Sequence, residues 1–268
     1  MQGICYFPIV KYKVMNISFQ DKTVVVTGAA KGIGAAVAQL FHESGATVIM
    51  MDISTDGEKV RTALGRKAHF YGCDVSSSGQ VKEVFKRIGE RFERIDVLIN
   101  NAGIQTYGKV VDTDEELWDR TINVNLKSAF LCAKHAIPLM KESFSPAIIN
   151  IASVQALVCQ ENAAAYITSK AGMLGLTKAI AVDYAPHIRC VAVCPGAVNT
   201  EMFQYDLKTS DDPAKFIEDA RNTHLLKKIA DPADVASMAL FLASERAPFC
   251  TGEYYRMDAG IGAKIVTQ

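Results

Sequence analysis

A doubly wound parallel α/β sheet in a single domain is the fold class this sequence predicts, on three observations. The first is a strand, a glycine turn and a helix in direct succession: Thr23-Val-Val-Val-Thr27, then Gly28-Ala-Ala-Lys-Gly-Ile-Gly34, then the helix-forming run 35–44. The second is the regular alternation of short apolar runs with longer helical ones, which calls for parallel strands joined by right-handed crossovers. The third is size. At 268 residues one such sheet buries a single large core, and no repeat, low-complexity tract or Pro/Ser-rich linker divides the chain. Residues 1–19 are expected to be an N-terminal extension, and 20–268 the folded domain.

Each element has a local reason. Thr23 to Thr27 is β-branched and apolar, suited to a strand buried on both faces. Gly28 permits a tight turn, Gly32 lets backbone approach a pyrophosphate, and Gly34 lets the helix pack close to the sheet, its N-terminus aimed at the phosphates. Lys31 and Ile33 lie inside this Rossmann-type dinucleotide signature. The strand Thr47-Val-Ile-Met-Met51 ends in Asp52, at the spacing of an acidic group that accepts from adenosine ribose hydroxyls. A carboxylate there repels a 2′-phosphate, which favours NAD over NADP. Lys31 would neutralise such a phosphate, and Asp52 is also placed to cap a helix before Ser54-Thr-Asp-Gly-Glu58.

Beyond these, 78–88 reads as helix, 96–100 as strand and 115–139 as one long helix. Thr113 and Glu116 form a capping box at its start, and Pro138 marks its end. Strand 147–151, helix 163–184, strand 188–193, helix 231–242 and strand 252–257 complete the alternation. Asp231 before Pro232 is a well-formed helix entry.

The chemistry lies in Tyr166-Ile-Thr-Ser-Lys170, whose spacing puts phenol and ammonium on one helix face. A tyrosine with a pKa of about 10 exchanges protons poorly at neutral pH, and a fixed cation beside it favours the phenolate. With nine tyrosines in the chain, the spacing alone is weak evidence. Ser153, thirteen positions earlier at the end of an apolar run, lifts it, because loops at strand carboxyl ends are where open α/β sheets bind ligands.

The Thr-Gly-x-x-x-Gly-x-Gly spacing, the run Asn100-Asn-Ala-Gly103, the set Ser153, Tyr166 and Lys170, and the adjacent Pro195 and Gly196 resemble the short-chain dehydrogenase/reductase family, in its short single-domain branch. The resemblance covers roughly 20–262 and rests on several motifs in correct order. It implies that Ser153 positions the substrate oxygen and that Tyr166 exchanges the proton. Lys170 holds the nicotinamide ribose and lowers the Tyr166 pKa. An asparagine in Asn123-Val-Asn125 anchors a water relay, Asn125 by motif position with Asn123 competing. It further implies Asp74 and Val75 at the adenine, and Asn101, Ala102 and Gly103 beside the cofactor. Pro195 and Gly196, with Val198 and Thr200 after them, fall at the nicotinamide carboxamide. A homotetramer, with 251–262 as an interface, is implied as well.

Formal net charge is zero and both signs are dispersed, so no footprint for nucleic acid or anionic membrane is visible. No apolar stretch reaches the length of about 18 residues that reads as a membrane span, and the N-terminal run does not look like a signal peptide. Seven cysteines without a Cys-x-x-Cys pair point to a reducing cytoplasm, and Cys190 and Cys194 read as buried small hydrophobes rather than zinc ligands. His42, His69, His135, His187 and His224 form no ligand spacing and read as ordinary surface or helix residues, so no metal is expected.

The long connection 201–230 reads as a lid over substrate. Gln105, Gln155, Gln160, Glu161 and Asn162 cluster near the expected pocket, and such groups suit a polyhydroxylated substrate better than a steroid or acyl chain. The first expectation is therefore NAD-dependent oxidation of a sugar or polyol. A 3-oxoacyl or hydroxysteroid reductase is the alternative, and a non-catalytic NAD sensor is a distant third.

Overall fold

The computed structural model describes residues 17–263. The expected extension is thus outside the described residues up to 16, while Phe19 already belongs to the core, edge-on to Phe41 with ring centroids 4.7 Å apart. Seven strands alternate with helices: β1 (Thr23–Thr27), α1 (Gly32–Glu43), β2 (Thr47–Asp52), α2 (Gly57–Leu64), β3 (Ala68–Gly72), α3 (Ser78–Arg91) and β4 (Val97–Asn100). Next come α4 (Glu115–Ile122), α5 (Ser128–Ala136), β5 (Ala147–Ile151), α6 (Ala164–Tyr184) and β6 (Arg189–Pro195). The chain ends with α7 (Glu201–Thr209), α8 (Pro213–Thr223), α9 (Pro232–Ala243) and β7 (Tyr254–Met257).

All pairings are parallel, in the order β3-β2-β1-β4-β5-β6-β7. The order reverses between β1 and β4, and their carboxyl ends open the crevice that a doubly wound sheet offers a ligand. Alternation along the strands divides the core into two layers. Val24, Val26, Met50 and Ile149 pack with Val37, Phe41 and Val235 of α1 and α9, while Val25, Met51, Leu98 and Ile148 pack with Ile88, Leu131 and Ile180 of α3, α5 and α6. Cys190 and Cys194 are wholly buried in β6. No helix among the described residues is long and apolar enough to cross a membrane.

Three local expectations need correction. The long helix at 115–139 keeps its direction, but its ladder widens into a π turn at Asn123–Lys127 and tightens into a 3₁₀ turn at Ile137–Leu139. The cap of α4 is Asp114, whose carboxylate accepts from Leu117 N–H at 2.6 Å, and the Thr113 hydroxyl instead donates to the Lys109 carbonyl at 2.7 Å. One position later, the Asp114 carboxylate stands at the extended residue before the first turn and reaches its free amides. Asp52 does not cap α2, which starts behind Asp56. Its two oxygens accept from Ala30 N–H at 2.9 Å and Ser54 N–H at 2.8 Å.

Candidate active site

A crevice of ≈ 1130 Å³ runs along the carboxyl ends of the strands. On its β1–β2 side the glycine signature is built as a cradle. Gly28 and Gly32 adopt φ of +64° and +55°, a region that L side chains disfavour. Gly34 lies behind the crevice wall, where a Cβ would fall 2.0 Å from the Gly28 carbonyl oxygen, so helix and turn touch only because it is glycine. Lys31 precedes α1 without a side-chain cap on the helix, which leaves the first-turn amides of Gly32 and Ile33 for an anion. Asp52, Asp74 and Val75 form the far end. Asn101 ties the floor together, its Nδ2 donating to the Thr27 and Gly28 carbonyls at 3.0 Å each. Ala102 N–H bonds the Thr27 hydroxyl at 3.1 Å. A Cβ on Gly103 would meet Asn125 Oδ1 at 3.3 Å and Lys170 Nζ at 3.5 Å. These residues fit a dinucleotide: uncapped amides at a helix N-terminus, a carboxylate at the end of the neighbouring strand β2, and a glycine floor.

The catalytic candidates meet in the middle of the crevice. Ser153 lies two residues beyond β5 and caps a short turn, its hydroxyl accepting from Gln155 N–H at 3.1 Å. Tyr166 and Lys170 sit one turn apart in α6, with Lys170 Nζ 5.7 Å from the phenol ring centroid and donating to the Ile151 carbonyl at 3.0 Å. Burial pushes the Tyr166 phenol up to about 12, the Ser153 hydroxyl pulling the other way, and burial pushes Lys170 down to about 8. Within the protein alone, loss of solvent outweighs a cation held at ring distance by a backbone carbonyl, whereas the depression expected for Tyr166 draws on the nicotinamide charge as well as on Lys170. Asn125 lies in the π turn, fully buried and outside the crevice lining. It accepts from Ile104 N–H at 2.8 Å and donates to the Ile104 carbonyl at 2.9 Å and the Ser169 hydroxyl at 3.1 Å. The side chain is thus a brace between the post-β4 loop and α6. Asn123, the competing position, does not line the crevice either.

The other wall holds Gln105, Gln155 and Gln160. Gln155 Nε2 donates to Gln160 Oε1 at 2.8 Å, but Gln155 Oε1 and Gln105 Nε2 are buried without a partner. Glu161 and Asn162 do not line the crevice: both are exposed, and Asn162 turns the chain at φ +56°. Pro195, Gly196, Val198 and Thr200 edge the opening, and Thr200 caps α7. The stretch 201–230 forms two helices, α7 and α8, joined by the Phe203–Phe216 contact at 5.3 Å, and both rings face the crevice.

A family model described as enoyl-(acyl carrier protein) reductase matches residues 28–262. A solved structure of an aldohexose dehydrogenase from Thermoplasma acidophilum superposes with a TM-score of 0.87 at 40% identity, covering 93% of this chain and 97% of that one. A 3-oxoacyl-acyl-carrier-protein reductase of Thermotoga maritima is 37% identical over 247 residues, 90% of this chain and 98% of its own. A 3beta-hydroxysteroid dehydrogenase of Mediterraneibacter gnavus is 37% identical over 263 residues, 90% and 95% of the two chains. The chain is a short-chain dehydrogenase/reductase. It acts on CH–OH groups or the matching carbonyls with a nicotinamide nucleotide.

Three residues of this dehydrogenase escape a reading of the sequence. His224, expected as an ordinary surface or helix residue, caps the end of α8, is buried at 3% exposure and lines the crevice. Tyr107 donates to Asp206 at 2.7 Å, joining the post-β4 loop to α7 across the opening. No local spacing announces any of them, because their partners are far along the chain.

Proposed function

We propose that this enzyme uses NAD to oxidise a secondary alcohol or hemiacetal hydroxyl of a sugar or polyol. One observation carries the substrate class: Gln105 Nε2 and Gln155 Oε1, a donor and an acceptor, stand buried and unpaired on the wall beside Ser153. Each costs about 1–3 kcal/mol if it stays bare. Substrate hydroxyls next to the reacting carbinol satisfy both, and a steroid face or an acyl chain satisfies neither. The aldohexose dehydrogenase relative supports the same class.

In this reading Ser153, whose oxygen already accepts from Gln155 N–H, turns its own proton to the substrate oxygen. Tyr166 takes the hydroxyl proton. Lys170, held by the Ile151 carbonyl, presents its remaining N–H groups to the nicotinamide ribose, and Asn125 keeps the loop at Ile104 in register with α6. The nicotinamide, when bound, supplies the hydride acceptor and a positive charge that favours the phenolate. Asp52 stays an acceptor at the rim, which supports NAD over NADP. Apolar Val154, Val158, Phe203 and Phe216 also line the crevice, and with the acyl and steroid relatives they favour a 3-oxoacyl or hydroxysteroid reductase as the second reading.

A screen of NAD and NADP reduction across sugars, polyols, hydroxy acids and sterols tests both, with acyl thioesters run in the reductive direction. We expect sugars with NAD to give the highest kcat/KM, and Gln155→Leu to lower it by about tenfold, one hydrogen bond's worth. Turnover of steroids or acyl thioesters with every sugar silent rejects the first reading. We also propose a cytoplasmic homotetramer, supported by the open edge of β7 in 251–262. Light scattering showing only monomers at micromolar concentration removes it.

A further inference from the structure

We propose that His224 is a positioning residue that fastens the base of the lid to the crevice wall at Gly196 and Ala197, and that it does so as the neutral tautomer carrying its proton on Nδ1. The ring sits at the end of α8. Its Nδ1 lies 2.6 Å from the Ala220 carbonyl oxygen and its Nε2 lies 3.1 Å from the Ala197 amide nitrogen. A carbonyl only accepts, so Nδ1 must bear hydrogen; an amide N–H only donates, so Nε2 must be bare. The geometry leaves one tautomer.

Helix ends leave carbonyls without partners, and α8 ends early: the His224 N–H bonds Arg221 O at 3.1 Å, leaving the Ala220 carbonyl to the imidazole. At the far side the ring presses on Gly196, where a Cβ would come within 2.7 Å of Nε2. Gly196 is therefore a seat for this ring. Ala197 is gripped from both sides, because its carbonyl accepts from Ala230 N–H at 3.0 Å. Leu225 N–H then bonds the Ala259 carbonyl at 2.9 Å. The lid leaves the wall at Thr200, which caps α7, and returns to the same wall through His224. Both ends of the α7–α8 segment are thus fixed at the stretch that edges the nicotinamide end of the crevice.

The test compares His224→Phe, which keeps ring volume and loses both bonds, with His224→Gln, whose amide oxygen can still accept from Ala197. The Kd of the reduced nicotinamide nucleotide, read by its fluorescence, needs no substrate and so stands apart from the sugar reading. We expect it to rise about tenfold in the phenylalanine variant, as for one buried amide left unpaired, and to return to within about twofold in the glutamine variant. Equal Kd in all three proteins, or a glutamine variant as impaired as the phenylalanine one, overturns the proposal. Nitrogen-15 NMR of the unmodified protein gives a second decision that requires no variant to fold. Protonation of His224 on Nδ1 alone agrees with the proposal, and protonation on Nε2 refutes it.

Discussion

Asn101 and Gln105 lie four residues apart beyond β4, yet their side-chain amides have opposite fates. The Asn101 Nδ2 donates to two backbone carbonyls, whereas the Gln105 Nε2 has no partner in the protein. The contrast extends to the two halves of the crevice. On the glycine-loop side the side chains are satisfied within the protein, the Thr27 hydroxyl taking two amides and each Asp52 oxygen one, and what is left for a ligand is the set of backbone amides at the start of α1. On the glutamine side amide atoms are left over. A half already satisfied is preorganised and recognises by shape and charge. A half with unpaired buried groups depends on its ligand to complete it, and there a wrong ligand is rejected by what it fails to pair.

If the halves are separable, deleting the proton-exchanging oxygen must stop chemistry without disturbing the glycine-loop side. Tyr166 is 7% exposed, and phenylalanine keeps its packing while losing only the hydroxyl. We expect Tyr166→Phe to lower kcat by about 10² to 10⁴, the usual worth of a positioned acid or base, with cofactor Kd unchanged by fluorescence titration. A near-native kcat breaks the assignment of Tyr166. A lost cofactor affinity breaks the separation.

Lys170 sits at the seam, 4% exposed, and its effect is visible in stability. Burial lowers its pKa to about 8 from the ordinary 10.5. Between those values the unfolded chain binds a proton that the folded protein does not, so stability rises with pH across that window, by at most about 3 kcal/mol. Tyr166 acts oppositely and later: its pKa is raised to about 12 from 10, so the folded state keeps that proton longer and loses stability only above 10. Urea midpoints measured from pH 7 to 10 should show the unmodified protein gaining on Lys170→Met as pH rises, while the Cys73, Cys132, Cys190 and Cys194 thiols, pushed up by burial, lower both curves alike above about 9. Parallel curves would show that Lys170 is not desolvated as described.

What was legible in the sequence follows the same division. The glycine loop, Asp52 and the Tyr166–Lys170 pair are encoded by short spacings, and the alternation of apolar runs with helices announces a parallel sheet and six of its seven strands, β3 excepted. The choice between Thr113 and Asp114 as cap, and the widening of the helix at 123–127, turn on geometry finer than spacing. Spacing reports the cation beside Tyr166 and says nothing of the solvent its phenol loses. His224 was missed because its acceptor role is set by Ala197, 27 residues earlier. The π turn that places Asn125 is likewise a product of packing against Ile104 and Ser169 rather than of composition.

The smallest effect gives the sharpest test of the division. Tyr107 and Asp206 are 99 residues apart, and their 2.7 Å hydrogen bond joins the post-β4 loop to α7, the start of the proposed lid. Burial first, then the Asp206 carboxylate, pushes the Tyr107 phenol upward, so it remains a donor throughout the neutral range. The tyrosine is still 46% exposed, and water competes for both partners, so the bond is worth about 1 kcal/mol or less. Tyr107→Phe should therefore raise substrate KM by about two- to fivefold, with cofactor Kd and kcat nearly unchanged. Asp206→Asn should add little to it in a double-mutant cycle, because the two changes remove one contact. If cofactor affinity falls in step with substrate KM, the lid and the glycine-loop side move as one body, and the contrast between Asn101 and Gln105 describes two side chains rather than two halves of a site.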